Sequence, residues 1–325
     1  MEERKKILKA NIFWMILVIL NLAGTQVLGM LVKNATTSVL LAQALIIVPV
    51  ILFLIITKQN PVKLLRLHKF HFGSGILVVL LALCLFPIIM VINALSMMFA
   101  TNTMAGTMNE ITGNGLPYAL LILSALPACV EEITFRGVMM GTYDEGKRPI
   151  RAIIFSSIAF AVMHMNFNQM CYAFFMGLVM GLVVELTGSL FASMLVHFTI
   201  NGTSTAISWA SAQMQKQMGE NADELAGSLN AAAQMTPKEM WDVVLMLLPV
   251  AIIAAGICYL LIKAIASLNG RAEQLHFWTS KEYREDREDI PKTRIFDIPY
   301  GIAMGICVGI SVLVELLLRG IIEIA

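Results

Sequence analysis

The hydrocarbon core of a bilayer is about 30 Å thick, so a helix rising about 1.5 Å per residue needs roughly 20 apolar residues to cross it. Runs of that length recur along this sequence of 325 residues from residue 11 almost to its end. They fall near 11–32, 37–57, 73–99, 116–143, 149–165, 169–187, 189–209, 241–265 and 299–322. Composition excludes a soluble alternative, because 58% of the residues are hydrophobic and 14% are charged, against roughly 25% charged in soluble domains. The expected fold class is all-α, a polytopic transmembrane helical bundle of about nine spans (eight to nine).

The few charges report orientation. Arg4, Lys5, Lys6 and Lys9 precede the first run; Lys58, Lys63, Arg66 and Lys69 follow the second; Lys147, Arg148 and Arg151 follow the fourth; and the stretch 263–294 is also basic. Between these, 101–115 holds no Lys or Arg, and 211–242 holds only Lys216 and Lys238. Basic loops stay cytoplasmic, so the N-terminus is expected inside. The turn at Thr187–Ser189 carries no charge; a full crossing and a re-entrant pair both fit it. The N-terminal run lacks a small-residue cleavage site and reads as a retained first span. The closing GIIEIA carries no organelle or retention signal, so a bacterial cytoplasmic membrane is expected.

The net charge of +1 gives no reason to expect a nucleic-acid partner. The five cysteines, Cys84, Cys129, Cys171, Cys258 and Cys307, lie inside apolar runs without CxxC spacing and read as packing residues. The sequence divides into N-terminal transmembrane helices (1–110), a core (111–210), a polar outer loop (211–240) and C-terminal transmembrane helices with a basic cytoplasmic linker (241–325).

Ionisable groups inside a bilayer are costly, and each is a functional hypothesis by default. Three segments hold the functional case: LPACVEEITFRGVMMG with Glu131, Glu132 and Arg136, FAVMHMNFN with Phe160 and His164, and HFTIN with His197 and Asn201. Glu132 and Arg136 stand at i and i+4, the spacing of a self-neutralising ion pair. Glu131 lies about 100° around the helix and is left without an obvious partner. Pro127, one turn earlier, is expected to loosen the helix beside it. Counted from the cytoplasmic helix ends, Glu131 lies about 18 Å deep, His164 about 20 Å and His197 about 14 Å, so all three fall in one layer. A desolvated carboxylate beside an imidazole takes a proton from water, which suits Glu131 with His164. An imidazole and an amide on one helix face, His197 and Asn201, suit an oxyanion. No GxSxG elbow or Cys-His nucleophile motif competes. Taken singly, each histidine also reads as an interhelical hydrogen bond, and Glu185 and the Glu315–Arg319 pair read as packing or snorkelling groups.

At these residues the chain resembles the CPBP intramembrane protease family, which includes the type II CAAX prenyl endopeptidases and the Abi or bacteriocin-immunity branch. Its EExxxR motif is met by Glu131, Glu132 and Arg136, its FxxxH motif by Phe160 and His164, and its HxxxN motif by His197 and Asn201. The resemblance implies a helical membrane core open toward the cytoplasm, in which Glu131 and His164 activate water and His197 and Asn201 form the oxyanion site. Glu132, Arg136 and Phe160 support them. The implied substrate is a prenylated protein, a leader peptide or a bacteriocin-like peptide, met among membrane lipid, and no cofactor is required. A zinc protease would draw on Glu131, His164 and His197, although HExxH is absent. A transporter could use the same groups as a proton relay, but no inverted repeat is visible. A non-enzymatic immunity protein is the remaining alternative.

Overall fold

The computed structural model describes residues 2–102, 105–144, 148–218, 236–279 and 294–322. Most of the polar outer loop (219–235), most of the charged linker (280–293) and Lys147 lie outside them. The described residues form helices and connecting turns, with no strand among them. The principal helices are α1 (Glu2–Leu31), α2 (Ala35–Thr57), α3 (Phe72–Met97), α4 (Leu116–Tyr143), α5 (Pro149–Val162), α6 (Phe167–Thr187), α7 (Leu190–Met218), α8 (Pro237–Leu268) and α9 (Ile298–Leu318).

Each apolar run is matched by one of these helices, and the polar residues between runs set the ends. Asn34, Asn166 and Asp297 each accept a hydrogen bond from the backbone N–H three residues on, satisfying one of the free donors at the helix start. Thr236 and Glu239 form a reciprocal capping box at the head of α8. Gly188 ends α6 at φ 71°, a left-handed conformation that glycine adopts without steric cost.

Seven of the helices are long and apolar enough to cross a membrane. The chain is an integral membrane protein. The other two runs depart from the sequence reading: α5 has only 14 residues, and α7 is long but turns polar after Asn201.

Contacts between turns sort the helix ends into two groups. At one end the Leu190 N–H donates to the Arg66 carbonyl at 3.1 Å, and Arg66 pairs with Asp144 at 2.6 Å and with Glu185. Burial works against the guanidinium charge of Arg66, but Glu185 and then Asp144 outweigh it, and its pKa is raised. Arg271 reaches the Glu185 carbonyl at the same end. At the opposite end Ala35 N–H donates to Glu110, Asn166 donates to the Thr101 carbonyl, and Thr101 N–H donates to Glu315. Glu185 is therefore not a snorkelling group; its side chain is 6% exposed and ion-paired to a loop. Glu315 keeps its i, i+4 partner Arg319 at 2.6 Å and also grips Thr101.

The last helix is built into the bundle. The Tyr300 ring packs on Trp14 of α1 at 4.6 Å and on Phe155 of α5 at 5.5 Å, and its hydroxyl donates to the Phe155 carbonyl. Asn11 of α1 accepts from the Tyr143 hydroxyl at 2.6 Å and donates to the Ile295 carbonyl, tying α1, α4 and the start of α9 together. On the other flank α8 lies against α3, through a cluster that includes Val91, Ala94, Val244 and Ala251.

Candidate active site

The irregularity of α4 builds the site. Two wide π-helical turns, Leu121–Ala125 and Ile133–Met139, bracket the segment Leu126–Glu132. Pro127 has no N–H to offer the Leu123 carbonyl four residues earlier. Asn201 of α7 donates to that carbonyl at 3.4 Å. The loosening expected at Pro127 is thus present, and π turns of this kind are frequent at functional positions.

The two adjacent glutamates meet different surroundings. Glu132 is sealed, with a side chain 0% exposed. Its Oε1 accepts from Arg136 Nη1 at 3.0 Å and faces His197 Nδ1 at 3.0 Å. Glu131, one residue earlier, keeps 15% of its side chain exposed. Its Oε1 accepts from Gln43 Nε2 of α2 at 3.2 Å, and its Oε2 lies 3.9 Å from His197 Nε2. His197 stands between the two carboxylates: Glu132 holds its Nδ1 edge, and Glu131 faces its Nε2 edge beyond hydrogen-bond distance. An ionised carboxylate can only accept, so the Glu132 contact places a proton on Nδ1.

Phe160 is the packing hub. Arg136 Cζ sits 4.2 Å from its ring centre, a cation–π contact worth about 2 kcal/mol when desolvated. His164 lies edge-on to Phe160 at 5.0 Å and His197 at 5.9 Å. One ring therefore touches a residue of each of the three motifs. Gly177 of α6 completes the cage: a Cβ there would stand 3.0 Å from Arg136 Nη2 and 2.8 Å from Ser157 Cβ.

His164 occupies the turn after α5, not the helix itself, and its Nδ1 lies 2.9 Å from the Phe160 carbonyl. Sequence spacing paired Glu131 with His164 about a water and did not anticipate that His197 Nε2 also approaches Glu131. Asn201, one turn beyond His197, lines a cavity of about 290 Å³ with Asn93, Gln169, Tyr172 and Thr205. Sequence reasoning missed Gln43 and Gly177. The signal for Gln43 was a single amide in the otherwise apolar VLLAQALIIV. Among the described residues no three His, Cys, Asp or Glu side chains lie close enough together to hold a metal ion.

Residues 113–203 match the family model described as type II CAAX prenyl endopeptidase, Rce1-like. No curated protein and no solved structure matches the chain. The matched stretch contains all three motifs and supports the resemblance to the CPBP intramembrane protease family. It is a family of proteases, whose substrates are peptides or proteins.

Proposed function

We propose, taking residues 113–203 as a protease-family segment, that the chain is an intramembrane endopeptidase that hydrolyses a peptide bond with water activated by Glu131. The observation that carries this reading is the placement of His197 between a sealed Glu132 and a partly open Glu131, over the Phe160 ring that also meets His164 and Arg136.

In the proposed reaction a water between Glu131 and His164 gives a proton to the Glu131 carboxylate as its oxygen attacks the substrate carbonyl carbon. The carbonyl π pair moves onto oxygen. The oxyanion is met by His197 Nε2, protonated while Nδ1–H is held on Glu132, and by the Asn201 amide. Collapse of the tetrahedral species breaks the C–N bond, and the proton on Glu131 passes to the departing amine. Glu132 and Arg136 hold the His197 ring in place and touch no reacting atom. The cavity beside Asn201 receives the substrate chain; its lining is apolar or neutral and polar, which suits an uncharged peptide segment.

The proposal needs no metal. We place the protein in a bacterial cytoplasmic membrane with the charged end inside. The substrate class follows the matched description: a protein carrying a prenylated C-terminal CAAX sequence, with an unlipidated leader peptide as the competing substrate.

The test is turnover of a quenched fluorogenic farnesylated CAAX peptide, and of an unlipidated leader peptide, by purified protein in lipid. Wild type should cleave one of them with chelator present, and Glu131→Ala, His164→Ala and His197→Ala should not. Cleavage by the variants at the wild-type rate would overturn the site. Loss of activity with chelator, restored by zinc alone, would overturn the metal-free mechanism.

A further inference from the structure

Gln43 lies on α2, about 70 residues before the family-matched segment, and is 9% exposed. An amide buried to that degree in an apolar helix carries two polar ends that both need partners. One end is satisfied: Nε2 donates to Glu131 Oε1 at 3.2 Å. The amide orientation follows from its partner, since turning the carbonyl toward an ionised carboxylate would set two acceptors against each other. The other end, Oε1, is buried with no hydrogen-bond partner among the described residues. A glutamine kept only to fill the core would be better replaced by leucine or methionine, which bury the same volume and strand no acceptor. What the amide supplies here is its hold on one carboxylate.

That hold has a direction. Glu131 Oε1 is fixed by α2, while Oε2 faces His197 on α7. A carboxylate gripped at one oxygen by a neutral donor keeps its second oxygen aimed without bringing a further charge into the membrane. Without Gln43 the side chain is free to rotate about its terminal torsion, which is broad for glutamate.

We propose that Gln43 is a positioning residue of the active site, holding the Glu131 carboxylate in the orientation that faces His197. This rests on the reading of Glu131 as the general base. It extends the site beyond the three motifs to a helix that the family match does not cover.

The experiment compares wild type, Gln43→Leu, Gln43→Met and Glu131→Ala, reading kcat, KM and unfolding temperature with the farnesylated CAAX peptide. Gln43→Leu should lower kcat about 10- to 100-fold, the range of one hydrogen bond to a charged group. KM should stay within about twofold, and the unfolding temperature should equal or exceed that of wild type because the stranded acceptor is gone. Gln43→Met, matched in length, should behave alike and serves if the leucine variant does not fold. A wild-type kcat in both Gln43 variants, with Glu131→Ala inactive, overturns the positioning role and leaves Glu131 as base. A raised KM at unchanged kcat does the same. Turnover by Glu131→Ala overturns the underlying reading instead, as does a wild type that leaves both this peptide and the unlipidated leader peptide intact; where only the leader peptide is cleaved, the same comparison is read with it.

Discussion

Glu132 Oε1 faces the Nδ1 edge of His197 at 3.0 Å and accepts from Arg136 Nη1 at the same distance. One oxygen thus joins the helix α4 ion pair to the imidazole of α7. The arrangement divides labour between two neighbouring carboxylates. Glu132, sealed and ion-paired, is committed to structure, and its partner Arg136 is equally enclosed by Phe160 and Gly177. Glu131 keeps an open edge and, among the described residues, no cation within ion-pair distance other than His197 when that ring is protonated.

Glu132→Ala and Glu131→Ala should therefore fail in different ways. Removing Glu132 leaves the Arg136 charge buried and uncompensated, a loss of about 3–5 kcal/mol. Removing Glu131 leaves only the Gln43 amide without its acceptor, about 1–3 kcal/mol, and takes away the proposed base. Unfolding in detergent should show the larger loss for Glu132→Ala, while peptide turnover should vanish in Glu131→Ala protein that remains folded. Equal destabilisation by the two substitutions would contradict the division.

Gly177→Ala tests the cage around the guanidinium. The added Cβ would meet Ser157 Cβ at 2.8 Å and Arg136 Nη2 at 3.0 Å, closer than ordinary contact. Overpacking of this kind costs about 1–3 kcal/mol. Because Arg136 reaches His197 through Glu132, turnover should drop along with the unfolding temperature. Gly256→Ala, where nothing lies within 4 Å of the new methyl, serves as the control and should change neither.

The helices were legible because each is a long apolar run closed by polar caps; the match of runs to helices follows from the high cost of an unpaired backbone in lipid. Glu131, Glu132, Arg136, His164, His197 and Asn201 stand out in the sequence because ionisable and amide groups are rare inside apolar runs, whereas Phe160 was marked only by the FxxxH resemblance. What sequence spacing did not yield is which partner each group takes. Nothing local to His164 shows that α5 stops at Val162, although Asn166 and Gln169 mark the next helix start. The pairing of Glu185 with Arg66 joins residues 119 positions apart and depends on how a loop folds back over a turn. Gly177 is one of 22 glycines, and only the approach of Arg136 gives it meaning.

Arg66→Ala should destabilise the end of the bundle where Glu185 and Asp144 converge. Both carboxylates lose their shared cation while Glu185 stays 6% exposed. Breaking a buried pair on one side costs about 3–5 kcal/mol, and the partial exposure of Asp144 places the expected loss near the lower limit. The double variant Arg66→Ala with Glu185→Gln should recover part of it, because the uncompensated charge is removed with its partner. An unfolding temperature unchanged in Arg66→Ala would mean that water or Arg271 already neutralises the site.

The two groups of helix ends make orientation measurable. The sequence assigns the basic end, which holds Lys58, Lys69 and the turn at Gly188, to the cytoplasm, and the end that holds Thr101, Glu110 and Glu315 to the outside. In a variant whose five cysteines are replaced by serine or alanine, a single cysteine at Glu110 should react with a membrane-impermeant maleimide added to intact cells. Cysteines at Lys69 and Thr187 should react only after the membrane is opened. Thr187, half-buried in the turn that ends α6, is the discriminating position, because Leu190 just after that turn is hydrogen-bonded to Arg66 and the turn must then share the side of the α2–α3 loop. Labelling of the Lys69 and Thr187 positions on the same side supports α6 and α7 as two full crossings. Labelling on opposite sides would break the alternation on which the depth of Glu131 and His197 depends, and the common layer of the active site with it.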